Sequence, residues 1–247
     1  MTTLPTSPTS GDNQLPAHLR DAIAEDIGRG VSDQSADFAM QQLQVGQVTS
    51  PLVDKNDAAY VDGAEAGDLV LRDTLHPVYK GDEGLTVIHC GQITAWSEFL
   101  KGRQGFAGRH LECPDDVESR PADNGSKYPV LVRRSSGNVI VETREIYLLA
   151  EGTPCVLFCS GTKHRFAKRW MAWMAQFKAP DGRPLPSFSR RYRLVTVPTK
   201  NPLGKWYGLD FQDLGWTPLD QYQAARTFNK LVEGGGLRVA PPNDNAA

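Results

Sequence analysis

The residues of this chain that could do chemistry are concentrated in a basic segment from Gly161 to Lys205. Its cations are Lys163, Arg165, Lys168, Arg169, Lys178, Arg183, Arg190, Arg191, Arg193, Lys200 and Lys205. Only Asp181 is acidic there, so the segment carries a net charge of +10 and the rest of the chain −12. Such an asymmetry favours a surface that binds a polyanion. The alternative is a solvated basic face that balances acids elsewhere in the fold.

Aromatic residues alternate with these cations, and this pattern is typical of proteins that bind single-stranded nucleic acid. Bases stack on flat rings while cations contact phosphates, and stacking tolerates any sequence because every base has a π-face. The residues expected to stack or to contact the backbone are Phe188, Arg190, Tyr192, Trp206 and Tyr207. Those expected to neutralise phosphates are Arg191, Arg193, Lys200, Lys205, Arg133 and Arg134.

The local elements decide whether these side chains can share a surface. Residues 187–197 are predicted to form a strand, on which Phe188, Arg190 and Tyr192 would lie on one face and Arg191 and Arg193 on the other. The alternative is that Phe188 and Tyr192 lie in the core and the arginines pair with acids.

Residues 162–177 have a helical period, and the aromatic face of that helix is expected to pack in the core. No recognition-helix or zinc-finger pattern is present, so single-strand binding is preferred over duplex binding.

Catalytic and metal-binding patterns are missing from the sequence. There is no GxSxG, GxxxxGK[ST] or HExxH motif, so the chain is expected to be neither an enzyme nor a cofactor protein. Asp115 and Asp116 are interpreted as exposed charges. Cys155 and Cys159 would lie roughly 13 Å apart on a strand, which is too far for one zinc ion.

The spacing of turns and alternating segments predicts a mainly β fold of the α+β kind, an OB-like antiparallel β-barrel with flanking helices. The predicted organisation is a disordered leader at 1–15, a helix (16–29) and an extended segment within 16–60, and the barrel at 61–233. The barrel is predicted to include a long loop at 101–127 and a C-terminal helix at 218–233, with a flexible tail at 234–247.

Membrane and secreted classes are not supported by the composition. No apolar run approaches the roughly 18 residues that a spanning helix needs, and the first sixteen residues lack the basic and apolar regions of a signal peptide. The chain is therefore expected to be cytoplasmic, without a membrane partner, and its four cysteines to be reduced thiols.

Several short runs carry a family resemblance. They are Gly63-Ala64 with Gly67-Asp68, Trp96-Ser97-Glu98-Phe99, Val141-Glu142-Thr143 with Tyr147, Ser160-Gly161-Thr162 before Lys168-Arg169-Trp170, and Pro184 with Tyr192-Arg193-Leu194. Over roughly residues 40–212 this layout resembles bacteriophage single-stranded-DNA-binding proteins of OB-like fold. The resemblance implies coating of exposed template in phage DNA replication or recombination, in the host cytoplasm, together with replication or recombination proteins. Such proteins often end in an acidic tail, whereas the tail at 240–247 has one acid, Asp244.

Two other functions stay open at this stage. The first is a non-enzymatic virion or host-interaction protein whose basic face binds an acidic partner. The second is a metal-dependent nucleic-acid enzyme that uses Asp115, Asp116 and Glu118.

Overall fold

The alternating segments of the chain pair into one large, mostly antiparallel sheet. In the computed structural model, residues 40–72, 77–103, 105–122, 129–202, 204–235 and 237 are described. The strands among them are β1 (Gln41–Val45), β2 (Leu69–Arg72), β3 (Val78–Tyr79), β4 (Leu85–Phe99), β5 (Phe106–His110), β6 (Val117–Arg120), β7 (Val130–Arg133), β8 (Val139–Ala150), β9 (Thr153–Cys159), β10 (Arg190–Asn201) and β11 (Gly204–Trp216). The helices are α1 (Lys163–Met174) and α2 (Leu219–Glu233).

The strand order is β11-β10-β4-β8-β9-β1-β2-β3, and β5 pairs with the end of β4 that β10 leaves free. Strand β7 joins β6 to β8. The β8–β9 and β10–β11 neighbours are hairpins, whereas β1 and β9 run parallel. The sheet curls into a half-barrel, so the fold is mainly β.

Apolar side chains fill both faces of this sheet, and one helix covers each. The first core contains Leu85, Val87, Ile146 and Leu148 together with Phe166 and Trp170 of α1. The second contains Ile88, Cys90, Tyr147 and Leu149 together with Ala225, Phe228 and Val232 of α2. Alternation along a strand sends successive side chains to opposite faces, so a strand with both faces covered is apolar at nearly every position. The burial of residues 145–150 follows that rule.

The structure corrects two of the expected boundaries. The segment 101–127 is not one long loop, because β5 and β6 lie within it and pair with β4 and β7. The strand expected from residue 187 begins at Arg190, since Ser187–Ser189 form a 3₁₀ turn. The extended segment expected within 16–60 includes the strand Gln41–Val45.

One further predicted element, the C-terminal helix, is confirmed, and the remaining predicted segments fall almost entirely on residues outside the described part of the chain. The C-terminal helix is present as α2. As a separate finding, no described helix is long and apolar enough to span a membrane. The leader at 1–15, the helix at 16–29 and all of the tail except residues 234, 235 and 237 lie outside the described residues.

Candidate nucleic-acid interface

Two of the predicted stacking rings lie inside the protein. Tyr192 is 1% exposed and packs edge-on against Trp170 and Phe211, with ring centroids 5.3 and 6.0 Å apart. Phe188 is 7% exposed and lies in the second core against Tyr222. The register shifts between Arg190 and Tyr192, and Phe188 belongs to the preceding turn, so strand alternation does not reach it. The prediction that these two rings stack on bases is therefore wrong.

Arg190 is engaged within the protein. Its guanidinium donates to both carboxylate oxygens of Asp213 at 2.8 to 3.1 Å and lies over the rings of Phe177 and Trp216. Burial tends to raise the pKa of Asp213, but hydrogen bonds from Arg190, Gly215 and Trp173 hold it below its ordinary value. Asp213 thus neutralises Arg190, whose guanidinium packs against the rings of Phe177 and Trp216. Its contact with bound DNA stays a prediction.

The two arginines of the β7 end are also paired. Arg133 donates to Asp116 at 2.9 Å and to Glu98 at 3.1 Å. The hydroxyl of Ser135 and then Arg133 lower the pKa of Asp116 to about 2. Arg134 lies 3.9 Å from Glu118 and is largely exposed. Arg133 is therefore not free to neutralise phosphates, and Asp116 serves this local network.

The tip of the β10–β11 hairpin carries three of the residues that the sequence predicted to bind nucleic acid. Lys200 and Lys205 are directly opposite each other and both are exposed, and Trp206 beside them is half-buried opposite Thr199. Within the described residues neither lysine has an ion pair. Like charges directly opposite on a sheet destabilise it. We call Lys200 and Lys205 the hairpin lysines.

Tyr207 has a structural role at the base of this hairpin. A Cβ atom added at Gly67 would come within 2.7 Å of its ring, and its backbone pairs with the Gln47 side chain in both directions. The ring also packs against the first core. Tyr207 is partly buried, and its stacking on bases stays a prediction.

Arg191 and Arg193 share a face, as alternation predicted. They lie opposite Ile88 and Thr86 of β4, on the side of the sheet that α2 covers. Arg193 is exposed, whereas the buried Nε of Arg191 has no hydrogen-bond partner. Of these two, Arg193 is the accessible cation.

Helix α1 has an outer face made of cations. Lys163, Arg165 and Lys168 lack an ion pair within the described part of the chain, whereas Arg169 pairs with Asp210 at 2.5 Å. No acid occupies the first turn, and the Thr162 side chain does not cap it. Cations at a helix N-terminus oppose the helix dipole, so this end would be stabilised by a bound anion. We call Lys163, Arg165 and Lys168 the helix cations.

The comparison with known families bears on this arrangement. Residues 9–238 match the family described as Pam3 phage gp34-like protein. The chain belongs to that family. No curated protein and no solved structure matches it. The bacteriophage part of the sequence resemblance is thereby supported.

The gp34-like protein has an open sheet face that sequence reasoning missed. Thr94 lies opposite Arg144 and Trp96 opposite Glu142, on the same side as Ile146 and the first core. Thr94 is exposed, and Trp96, Glu142 and Arg144 are partly exposed, because α1 covers only the neighbouring part of this side. We call Thr94, Trp96, Glu142 and Arg144 the Trp96 face. The sequence signal that could have revealed this face is the alternation of its residues along β4 and β8 with Ala95, Ser97 and Thr143, which are buried.

The Trp96 face adjoins the start of α1. The His164 ring lies 2.9 Å from the Glu142 carbonyl oxygen. Burial raises the pKa of the Cys159 thiol to about 12, and the charges of Lys163 and Arg144 oppose that shift. Arg144 lies opposite Cys159 in the register of β8 and β9, and Lys163 begins α1 four residues after Cys159, so the two cations lie at the same part of the sheet. The buried Nε of Arg144 has no hydrogen-bond partner.

The cysteines of the gp34-like protein are dispersed. Cys90, Cys155 and Cys159 are buried free thiols and Cys113 is an exposed one. Among the described residues there is no group of three or more His, Cys, Asp or Glu side chains placed to hold a metal ion.

Proposed function

We propose that this gp34-like protein binds single-stranded DNA without strong sequence preference, as a non-enzymatic coat on template exposed during phage DNA replication or recombination. The observation that carries the proposal is a group of five cations on α1 and the β10–β11 hairpin, none of which has an acidic partner in the described structure. They are the three helix cations and the two hairpin lysines.

Their positions favour a phosphate ligand on energetic grounds. Lys163 and Arg165 oppose the helix dipole, and Lys200 opposes Lys205 across the hairpin, so the unbound protein bears repulsion that a polyanion would relieve. Phosphates neutralised by lysine and arginine also release condensed counterions, which supplies affinity without sequence preference.

Accessible rings close to these cations favour a single strand over a duplex. Trp206 adjoins the hairpin lysines, Trp173 lies on the outer side of α1, and Trp96 lies beside Arg144. Stacking needs bases that are not already stacked within a duplex. Helix α1 buries its aromatic face in the first core through Phe166 and Trp170, so that face cannot enter the groove of a duplex.

An OB-like barrel is part of this proposal. OB folds bind oligonucleotides on a strand face and with the loops at its edge. The curled sheet, the open Trp96 face and the projecting β10–β11 hairpin supply surfaces of both kinds. The proposal also places the protein in the host cytoplasm, where replication or recombination proteins are its expected partners.

The salt dependence of binding tests the proposal first. Five neutralised phosphates predict that log K falls against log salt concentration with a slope of about −3.5, from about 0.7 per contact on single strands. Titration of a fluorescent oligo-dT with the full chain at several salt concentrations measures this slope. Absence of binding at micromolar protein in low salt would refute the proposal.

The hairpin lysines give the second test. Removing two phosphate contacts in the double variant Lys200→Gln/Lys205→Gln should weaken oligo-dT binding about 25-fold near 0.1 M salt and make the slope shallower by about 1.4. The matched control is Arg226→Gln/Lys230→Gln, two exposed cations on α2. If the two double variants lose the same affinity for oligo-dT, only the total charge of the protein decides binding, and the position of the hairpin lysines does not.

An acidic protein partner would meet the same cations, and one further measurement separates it from DNA. Partners retained on the immobilised protein are compared before and after nuclease treatment. Retention that survives nuclease, together with weak oligo-dT binding, would favour the interaction-protein function.

A further inference from the structure

Trp216 is the most exposed aromatic ring among the large hydrophobic residues of the described chain. It ends β11 opposite Arg190 and is 62% exposed. Gly215, directly before it, has φ +89°, and its N–H donates to Asp213 at 2.8 Å. A side chain at position 215 would be strained in this backbone conformation. The glycine thus turns the strand end so that the indole lies over the guanidinium of Arg190.

Hydrogen bonds and ring contacts hold the support beneath this indole in place. The guanidinium carbon of Arg190 lies 4.9 Å from the Trp216 ring centroid and 4.1 Å from that of Phe177. Asp213 fixes Arg190 through hydrogen bonds to Nε and Nη2, and it also accepts one from the indole N–H of Trp173 at 3.1 Å. A ring held this way loses little conformational entropy when a ligand packs against it.

The surface beside Trp216 is a shallow groove without charged lining residues. Pro186, Leu219 and Tyr222 give it apolar walls, and Ser189 and Thr217 add hydroxyl groups. Both hydroxyls donate to backbone carbonyls, of Pro186 and Phe188, so their oxygens remain available as acceptors. A flat heteroaromatic group with N–H donors, such as the ring N–H of thymine, suits such a groove.

We propose that Trp216 is a base-stacking platform on which one base of the bound single strand lies, in the groove between Trp216 and Tyr222. This inference rests on the proposed function and extends it to a residue outside the sequence-predicted set. Helix α1 supplies the continuity, because its outer face carries the helix cations and ends at Trp173, which shares Asp213 with Arg190. Exposed Lys178 follows α1 and adds a cation at that end.

A comparison of two ligands tests the platform. Oligo-dT and an abasic phosphodiester oligomer of the same length present the same phosphates, but only the first has bases. Trp216→Ala should weaken binding of oligo-dT by about 5- to 150-fold, the range for loss of one base–aromatic stack. Binding of the abasic oligomer and the salt slope should stay unchanged. Trp216→Phe should recover most of the affinity, which a loss of folding at this site would not allow.

The controls separate this inference from the proposed function. Leu219→Ala removes an exposed apolar wall of the groove without removing a ring, and it should change oligo-dT binding less than Trp216→Ala does. If Trp216→Ala binds oligo-dT as tightly as the wild type, the platform is refuted while the proposed function stands. Equal weakening for both oligomers also refutes it. If the wild type binds neither oligomer, the proposed function fails and the platform fails with it.

Discussion

We expect the free energy of unfolding to fall by about 3 kcal/mol between pH 6.5 and pH 4 through His89 alone. His89 is 1% exposed, on the sheet face under α1, and its ring meets that of Trp170 edge-on at 5.3 Å. Neither ring nitrogen has a hydrogen-bond partner. Burial lowers the pKa of His89 from 6.5 to about 4.

The direction of the effect follows from the two pKa values of His89. Below pH 6.5 the unfolded chain binds a proton at this residue, whereas the folded chain stays neutral until about pH 4. The neutral form therefore stabilises the fold fully above pH 6.5, and this contribution is lost as the pH falls to 4. Below pH 4 both states are protonated, and His89 adds no further change.

The variant His89→Leu isolates this contribution, because leucine has a similar volume and does not titrate. Urea unfolding of wild type and variant at pH 7, 5 and 4 gives the difference in free energy of unfolding at each pH. The free energy of unfolding of the variant, relative to that of the wild type, should rise by about 2 kcal/mol between pH 7 and pH 5. Other titrating groups are common to both proteins and cancel. A difference that does not change with pH would show that His89 is not held neutral by burial.

The strands and helices of this fold could largely be predicted because their sequence periods are local. Residues 139–150 and 155–160 are rich in β-branched and other apolar residues on either side of a tight turn at Glu151-Gly152, and β8 and β9 form that hairpin. The short strands β5 and β6 could not be predicted, since their Gly, Arg and Glu residues have no β pattern of their own. Their pairing with β4 and β7 is decided by edges that are distant in sequence.

The candidate site was harder to predict for a different reason. Alternation separates Tyr192 from Arg191 and Arg193, but it does not say which face is exposed when α1 covers one side and α2 the other. Which cations stay free also depends on distant partners. Arg190 is neutralised by Asp213, 23 positions away, and Arg133 by Glu98, 35 positions away.

The largest mutational effect on stability is expected at a buried ion pair on the α2 side of the sheet. Arg109 binds both carboxylate oxygens of Glu145, at 2.5 and 2.7 Å, and the Tyr147 hydroxyl donates to Glu145 at 2.8 Å. The Glu145 side chain is 1% exposed and that of Arg109 is 31% exposed. Arg109→Met leaves a buried carboxylate without its cation and should lower the free energy of unfolding by about 3 kcal/mol, at the low end of the range for such pairs because water reaches Arg109.

The matching double variant separates the value of the pair from the penalty of an isolated charge. Arg109→Met/Glu145→Met replaces both charges with flexible apolar side chains, and it should recover most of the loss, since an apolar replacement of a buried pair is often close to neutral. Urea unfolding of the wild type, both single variants and the double variant completes the cycle. Tyr147→Phe removes only one hydrogen bond and should cost about 1 kcal/mol. If Arg109→Met costs no more than Tyr147→Phe, then water rather than Arg109 solvates Glu145, and the pair contributes little to the fold.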